Sequence, residues 1–146
     1  HFEPASSHVI AALLRKVHEA KESNSGTVEL WGTGRPCREF LYVDDAADGL
    51  VFLMEHYSDE NIVNVAGGEV VSIAELAEIV SKVVGYRGVF HFNADKPDGM
   101  PRKALDASRI RAAGWHPKIS LRDGLSKTYE WFRSTLAVET TRSYTD

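Results

Sequence analysis

The chain has 146 residues, of which 43% are hydrophobic and 26% are charged, and its formal net charge is −4. This balance is typical of one compact globular domain and excludes a disordered chain as the first interpretation. The negative charge argues against a general nucleic-acid binder, and no apolar run approaches the roughly 20 residues of a membrane-spanning helix.

The first third of the chain predicts a helix followed by two strands. Apolar residues spaced i, i+3, i+4 and i+7 indicate a helix from His8 to Lys21, with Ser6 and Ser7 as its cap. Residues 28–31 and 38–43 alternate like strands, and the glycine-rich segment between them, 32–36, is interpreted as a hairpin turn. Asp44 and Asp45 then cap an apolar helix through Met54. The pair resembles a carboxylate acid/base site, but helix capping together with complementation of the helix dipole is the preferred interpretation.

The remainder continues the alternation of strands and helices. We expect a buried strand at 61–65, a helix that begins after Ser72 and ends at Gly85, and a strand near 89–92. Pro97 and Pro101 predict a surface loop over 93–103. A short helix up to Ala113 follows, and then an amphipathic helix that is capped by Ser120 and runs through Leu125, Tyr129, Trp131 and Phe132. This is an α/β pattern.

Three kinds of site lack their sequence signals. With one cysteine, Cys37, the sequence offers no internal disulfide, which fits a reducing cytoplasm. No histidines stand at a metal-ligand spacing, so no metal site is expected. The Gly32-Thr33-Gly34 turn leads into a predicted strand and not a helix, so it does not match the turn that holds a dinucleotide pyrophosphate.

Four segments carry a resemblance to a known family. Residues 38–45, Arg-Glu-Phe-Leu-Tyr-Val-Asp-Asp, resemble a signature of the extended short-chain dehydrogenase/reductases that act on nucleotide sugars, the NAD-dependent epimerase/dehydratase family. Residues 1–16, the Lys-Pro-Asp-Gly-Met-Pro-Arg-Lys loop at 96–103, and Leu105-Asp106 leading to Gly114-Trp115 narrow the resemblance. Together they are similar to the GDP-L-fucose synthases, in register from His1 to about Phe132.

The resemblance implies a fold and an activity. The fold is α/β, the carboxy-terminal substrate-binding portion of a Rossmann-type enzyme whose amino-terminal cofactor domain is missing. Residues 1–134 are expected to form this domain, and 135–146 a frayed polar tail. The parent enzyme would epimerise GDP-4-keto-6-deoxy-D-mannose at C3 and C5 and reduce C4 with NADPH. Its Ser/Tyr/Lys group and catalytic Cys lie upstream, so this chain alone is expected to be inactive and to bind no cofactor strongly.

The resemblance also implies site residues. His8 matches the family's epimerisation acid, with cofactor binding as a second candidate role; imidazole titrates near neutrality, as such an acid must. The other matched residues are expected to bind substrate: Arg38 and Lys103 at the phosphates, Asp98 at a ribose, sugar or guanine donor, Trp31 beside the nucleotide, and Lys16 in place of a frequent arginine. Cys37 is out of register with the family's catalytic cysteine and receives no catalytic role.

All of these roles except that of Lys16 have a simpler alternative. His8 could be an exposed helix-start histidine, Arg38 could pair with Glu39 or Asp44, Trp31 could fill the core, and Asp98 and Lys103 could be solvated loop charges. For the whole chain, the alternatives are another nucleotide-sugar epimerase or dehydratase and a non-catalytic nucleotide-sugar binding module. The expected partner is a GDP-sugar, with no nucleic acid, membrane or metal, in a cytoplasmic parent that is a homodimer.

Overall fold

The computed structural model describes residues 8–142, and side chains up to residue 136. It confirms the α/β class, because helices and short strands alternate along most of the chain. The elements are α1 (Val9–Glu22), β1 (Thr27–Trp31), β2 (Cys37–Phe40), α2 (Val43–His56), β3 (Glu69–Ser72), α3 (Ile73–Val84), β4 (Val89–Asn93), β5 (Arg102–Lys103), α4 (Ser108–Ala112) and α5 (Leu121–Arg142). None of the helices in this part of the chain is long and apolar enough to cross a bilayer.

The chain divides into two compact units, each assembled from separate stretches of sequence. Unit 1 comprises His1–Leu30, Ala77–His91 and Arg122–Asp146, and unit 2 comprises Trp31–Leu76 and Phe92–Leu121. The predicted substrate-binding domain, 1–134, and polar tail, 135–146, stay predictions; within the described range the last helix continues to Arg142.

Unit 1 contains α1, most of α3 and nearly all of α5, which bury apolar residues at helical spacing. Its buried side chains include Leu14, Val17, Val80, Leu125 and Phe132. β1 pairs with β4. The Val89 N–H donates to the Gly26 carbonyl at one end of this pair and the Gly32 N–H donates to the Asn93 carbonyl at the other, so the strands run parallel.

Helix α5 has a partly buried hydrogen bond within unit 1. The Tyr129 hydroxyl lies 2.9 Å from Nδ1 of His18, and burial raises the pKa of Tyr129 above its usual value. Trp131 of the same helix is more than half exposed. Its direction differs by about 100° from that of the buried Phe132, so the two cannot share one narrow apolar face.

Unit 2 is built on a three-stranded sheet with β2 at its centre. β2 pairs antiparallel with β3 and parallel with β5. A core cluster joins α2, α4 and the segments that follow them. Its buried members are Ala66, Ala107, Ile110 and Trp115, with Leu41, Phe52, Leu53, Val63 and Val65 packed against them.

Helix α3 begins where the sequence predicted. The Ser72 hydroxyl accepts a hydrogen bond from the Glu75 N–H, and the Glu75 carboxylate accepts bonds from both the N–H and the hydroxyl of Ser72. This reciprocal arrangement is a capping box, which satisfies amide donors that the first helical turn leaves without partners.

The predicted hairpin at 32–36 is wrong. β1 and β2 belong to different sheets, and both Gly32 and Gly34 have positive φ angles. The carbonyls of Gly34 and Pro36 accept bonds from Ala74 and Ile73 at the start of α3. These bonds direct the segment towards the helix, so it does not fold back along β1.

The predicted strand at 61–65 is also wrong: the segment is irregular. Its polar groups bond to side chains and loops, since the Asn64 amide donates to the Asp106 carbonyl and Arg109 donates to the Ile62 carbonyl. Its apolar content reflects the packing of Val63 and Val65 against the core cluster of unit 2.

The start of α1 differs in part from the prediction. Ser6 and Ser7, the predicted caps, lie outside the described residues, and the residue at the N-cap position is His8.

Candidate functional site

Two of the predicted cations lie side by side on the central sheet of unit 2. Arg38 in β2 and Lys103 in β5 are register partners in a parallel pair. Register partners on neighbouring strands point to the same face, and the strands are about 4.8 Å apart. The pairing therefore joins one residue from the Arg-Glu-Phe motif to one from the Lys-Pro-Asp-Gly loop, 65 positions later.

Only one nitrogen of the Arg38 guanidinium makes described hydrogen bonds to the protein. Its Nη1 donates to the carbonyls of Cys37 and Met100, each at 2.7 Å. Within the described part of the chain, neither its Nε and Nη2 nor the exposed ammonium of Lys103 has a partner. The remaining guanidinium edge has the paired donors that suit a phosphate or carboxylate group.

Neither carboxylate considered as an alternative partner for Arg38 binds it. The Glu39 Oε1 accepts the Gly67 N–H at 2.7 Å, and its Oε2 accepts the Leu105 N–H at 2.8 Å. Asp44 is exposed in the first turn of α2. Glu39 therefore ties together the backbone on both sides of β2, and Arg38 faces the loop carbonyls.

Trp31 and Asp98 lie along the same loop. The indole of Trp31 is 67% exposed, so it does not fill the core, and the Lys96 ammonium lies 5.5 Å from its ring centroid. Asp98 accepts two bonds from Thr33: Oδ1 from the backbone N–H at 2.8 Å and Oδ2 from the hydroxyl at 2.7 Å. The Thr33 hydroxyl and then the Thr33 N–H hold the pKa of Asp98 below its usual value.

The other two predicted residues belong to unit 1. His8 is exposed at the N-cap position of α1, and its side chain makes no capping hydrogen bond. Lys16 is exposed about two turns further along, and its ammonium donates to the Glu29 carbonyl at 2.9 Å. The structure therefore places Arg38 and Lys103 side by side in unit 2. Trp31 and Asp98 lie in the same unit, each in contact across the segments 31–33 and 96–98. His8 and Lys16 lie on α1 in unit 1.

Sequence reasoning missed three partners of these residues: Thr33, Lys96 and the Met100 carbonyl. Lys96 and Met100 belong to the quoted loop motif, but nothing local indicates that they contact residues near position 31 or 38. Thr33 sits between two glycines, a pattern that predicts a turn and carries no signal for a carboxylate partner 65 residues away.

The acidic pair at the start of α2 has a role other than capping. Asp45 is 3% exposed, and its Oδ2 accepts the backbone N–H groups of Lys118 and Ile119 at 3.1 and 2.8 Å. The N-cap residue is Tyr42, with no side-chain capping bond. The predicted cap is therefore wrong, but both carboxylates lie in the first turn of α2, where they complement the helix dipole. Asp45 also ties α2 to the segment before α5. Asp44 makes no comparable bond among the described residues.

Two kinds of binding feature are absent from the described part of the chain: a cluster of metal-binding side chains, and a pair of glycines at a helix amino terminus that could hold a dinucleotide. Residues 8–136, whose side chains the structure describes, contain no group of three or more His, Cys, Asp or Glu that could hold a metal. Gly32 and Gly34 lead into β2, and Gly67 and Gly68 lead into β3, so neither glycine pair stands at a helix amino terminus. The thiol of Cys37 contacts the Arg35 carbonyl at 3.6 Å and is not part of an acid/base pair.

Comparisons with known proteins show what the chain is similar to. Residues 1–66 match the model of the NAD dependent epimerase/dehydratase family. The chain is 53% identical over 131 residues to "Probable GDP-L-fucose synthase 1" of Oryza sativa subsp. japonica, which covers 90% of the chain and 40% of the relative. It is 48% identical over 140 residues to the GDP-L-fucose synthase of Escherichia coli strain K12, covering 90% and 44%.

A solved structure is also similar to this chain. A GDP-mannoheptose C4 reductase from Campylobacter jejuni, solved with NADP bound, has a TM-score of 0.75 and 37% identity to this chain; the match covers 88% of this chain and 45% of the reductase. The chain spans about two fifths of the length of the curated relatives it matches.

Proposed function

We propose that this chain, which belongs to the NAD-dependent epimerase/dehydratase family, is the substrate-binding part of a GDP-L-fucose synthase. The parent enzyme would epimerise GDP-4-keto-6-deoxy-D-mannose at C3 and C5 and reduce C4 with NADPH. The proposal is supported by 48–53% identity to two proteins of that name and by four matched motifs.

One observation carries the proposal: the register pairing of Arg38 with Lys103. Two cations on adjacent strands repel each other, and their described surroundings include no carboxylate bonded to either one. A bound diphosphate would relieve this repulsion, because its negative charge attracts both cations. Its oxygens would also accept hydrogen bonds from Nε and Nη2 of Arg38. The exposed face of Trp31 offers an apolar surface for the base of the same nucleotide.

The residues of unit 1 fit supporting roles. The His8 ring, exposed and without a capping bond, is available to transfer a proton during epimerisation in the parent enzyme. Lys16 uses one of its three ammonium donors on the Glu29 carbonyl and keeps two for a substrate oxygen. A lysine here offers a point charge where an arginine would offer two parallel bonds.

The hydride chemistry belongs to the parent and not to this chain. NADPH would be bound by an amino-terminal domain that also carries the Ser/Tyr/Lys group and the catalytic Cys. Since the glycine turns at 32–34 and 67–68 lead into strands, we assign no cofactor contact to these two turns. We therefore propose an isolated chain that binds the GDP-sugar and reduces nothing, and a parent that works as a cytoplasmic homodimer.

Calorimetric titration tests the proposal. GDP-L-fucose and GDP are expected to bind the chain, and UDP-glucose is expected not to bind. Arg38→Ala should weaken GDP binding by roughly 10- to 100-fold, because it removes charge-assisted bonds of about 1.5–3 kcal/mol. Arg87→Ala is the matched control, since Arg87 is an exposed arginine of unit 1 with no described partner.

A second pair of variants tests the strand register. Lys103→Ala should weaken GDP binding, whereas Arg102→Ala should not, because adjacent strand residues point to opposite faces. Binding of UDP-glucose as tight as that of GDP would favour another nucleotide-sugar epimerase or dehydratase. Equal losses from both variants would refute the assigned face.

A further inference from the structure

The loop at 93–101 is attached along its length to residues 31–38. Backbone bonds close both ends: the Gly32 N–H donates to the Asn93 carbonyl at 3.0 Å, and the Cys37 N–H donates to the Pro101 carbonyl at 2.8 Å. Between them, alternate loop residues make one contact each. Lys96 lies over the Trp31 ring, Asp98 binds Thr33, and the Met100 carbonyl accepts from Arg38.

The middle contact is the most constrained of the three. Thr33 donates through two atoms to the two oxygens of one carboxylate, at 2.8 and 2.7 Å. The approach depends on Gly32, which has a φ of +82°, and a Cβ at that position would collide with the Asp98 carboxylate. The backbone is therefore shaped around this bond pair.

The loop in turn fixes the guanidinium of Arg38. Nη1 is held by the Met100 carbonyl, and Nη2 lies so close to Gly99 that a Cβ there would be 3.0 Å from it. With Nη1 and Nη2 constrained by adjacent loop residues, the direction of the remaining Nε and Nη2 edge is set by the position of the loop. The Arg38 side chain thus both contacts the loop and supplies the donors for a phosphate.

We propose that Thr33 is a positioning residue that holds the 93–101 loop, and through it Arg38, in the ligand-binding conformation before a ligand arrives. For the identity of the ligand, this inference rests on the function proposed above. It assigns Asp98 a role different from direct contact with ribose or base: its carboxylate anchors the loop. If the loop is already ordered, ligand binding does not have to order it, so no loop entropy is lost on binding and the affinity is higher.

The test compares Thr33→Val with Thr33→Ser in the 146-residue chain. Valine keeps the branched shape and the backbone N–H but removes the hydroxyl that donates to Oδ2, whereas serine restores it. Thr27→Val is the matched control, because Thr27 is an exposed threonine of β1 whose described bonds use only its backbone. Amide hydrogen exchange is measured at residues 33 and 96, and GDP affinity by calorimetry.

Thr33→Val loses the hydroxyl's bond to Asp98 and also the longer bond, 3.3 Å, that the hydroxyl accepts from the Arg35 N–H. We expect exchange at residue 33 to rise and GDP affinity to fall, each by roughly tenfold. Thr33→Ser should return both to within about twofold of the unmodified chain. Unchanged exchange in Thr33→Val overturns the inference, as does faster exchange with unchanged GDP affinity. If the unmodified chain does not bind GDP, the proposed function fails, and the exchange measurement alone decides whether Thr33 orders the loop.

Discussion

Replacing Asp45 with alanine should destabilise unit 2 strongly. Its buried Oδ2 accepts two backbone N–H groups, those of Lys118 and Ile119. Alanine would leave both donors without a partner, at a cost of about 1.5 kcal/mol each, or about 3 kcal/mol of unfolding free energy in total. For a chain of this length, that corresponds to a fall in Tm of roughly 6–12 °C.

The matched control for this prediction is the preceding residue. Asp44→Ala removes a carboxylate from the same first helical turn, so it loses a similar helix-dipole interaction, but it breaks no described bond. We expect a cost of about 0.5 kcal/mol for Asp44→Ala. Urea unfolding followed by fluorescence measures both variants. A difference of less than about 1 kcal/mol between them would refute the assignment of Asp45 as the anchor of Lys118 and Ile119.

Three further predictions follow from the described contacts. Ser72→Ala removes a member of the capping box with Glu75 and should lower the unfolding free energy by about 1 kcal/mol in the same urea assay, with no loss if the box is unimportant. Gly68→Ala places a Cβ against the Phe40 carbonyl, so circular dichroism should show a variant that melts well below the unmodified chain; an unchanged melt would contradict this close approach. The Thr33 bonds lower the pKa of Asp98 from its ordinary value of 3.8, so they stabilise the fold above that pH and the stabilisation disappears as pH falls through the lowered pKa. Carboxyl NMR titration should show this shift and its reduction in Thr33→Val.

Helices α1 and α3 could be predicted because their signals are local. The apolar spacing of Leu14 and Val17 describes one buried face, and Ser72 with Glu75 supplies a cap within four residues. The predicted ends of both helices lie within one or two residues of the observed ends. The residues that predict each helix all lie within the helix or next to it.

The strand partners could not be predicted by the same reasoning. Residues 28–31 and 38–43 look like a hairpin because they are adjacent, but the partner of β1 is β4, about 60 residues later. Apolar content at 61–65 indicated burial, and the burial of Val63 and Val65 is real. It arises from packing, and a periodicity argument does not distinguish packing from strand pairing.

The candidate site shows the same division between local and long-range information. The charges of Arg38 and Lys103 could be identified from two separate motifs, but only the parallel pairing of β2 with β5 makes them neighbours. That register also separates Lys103 from Arg102, which carries the same charge and pairs with Cys37 on the opposite face. Whether a cation of this segment belongs to the site therefore depends on which face of the sheet its position on the strand assigns it to. The bonds of Thr33 to Asp98 and of Arg38 to the Met100 carbonyl act on the same loop that leads into β5, so they would control where that cation lies.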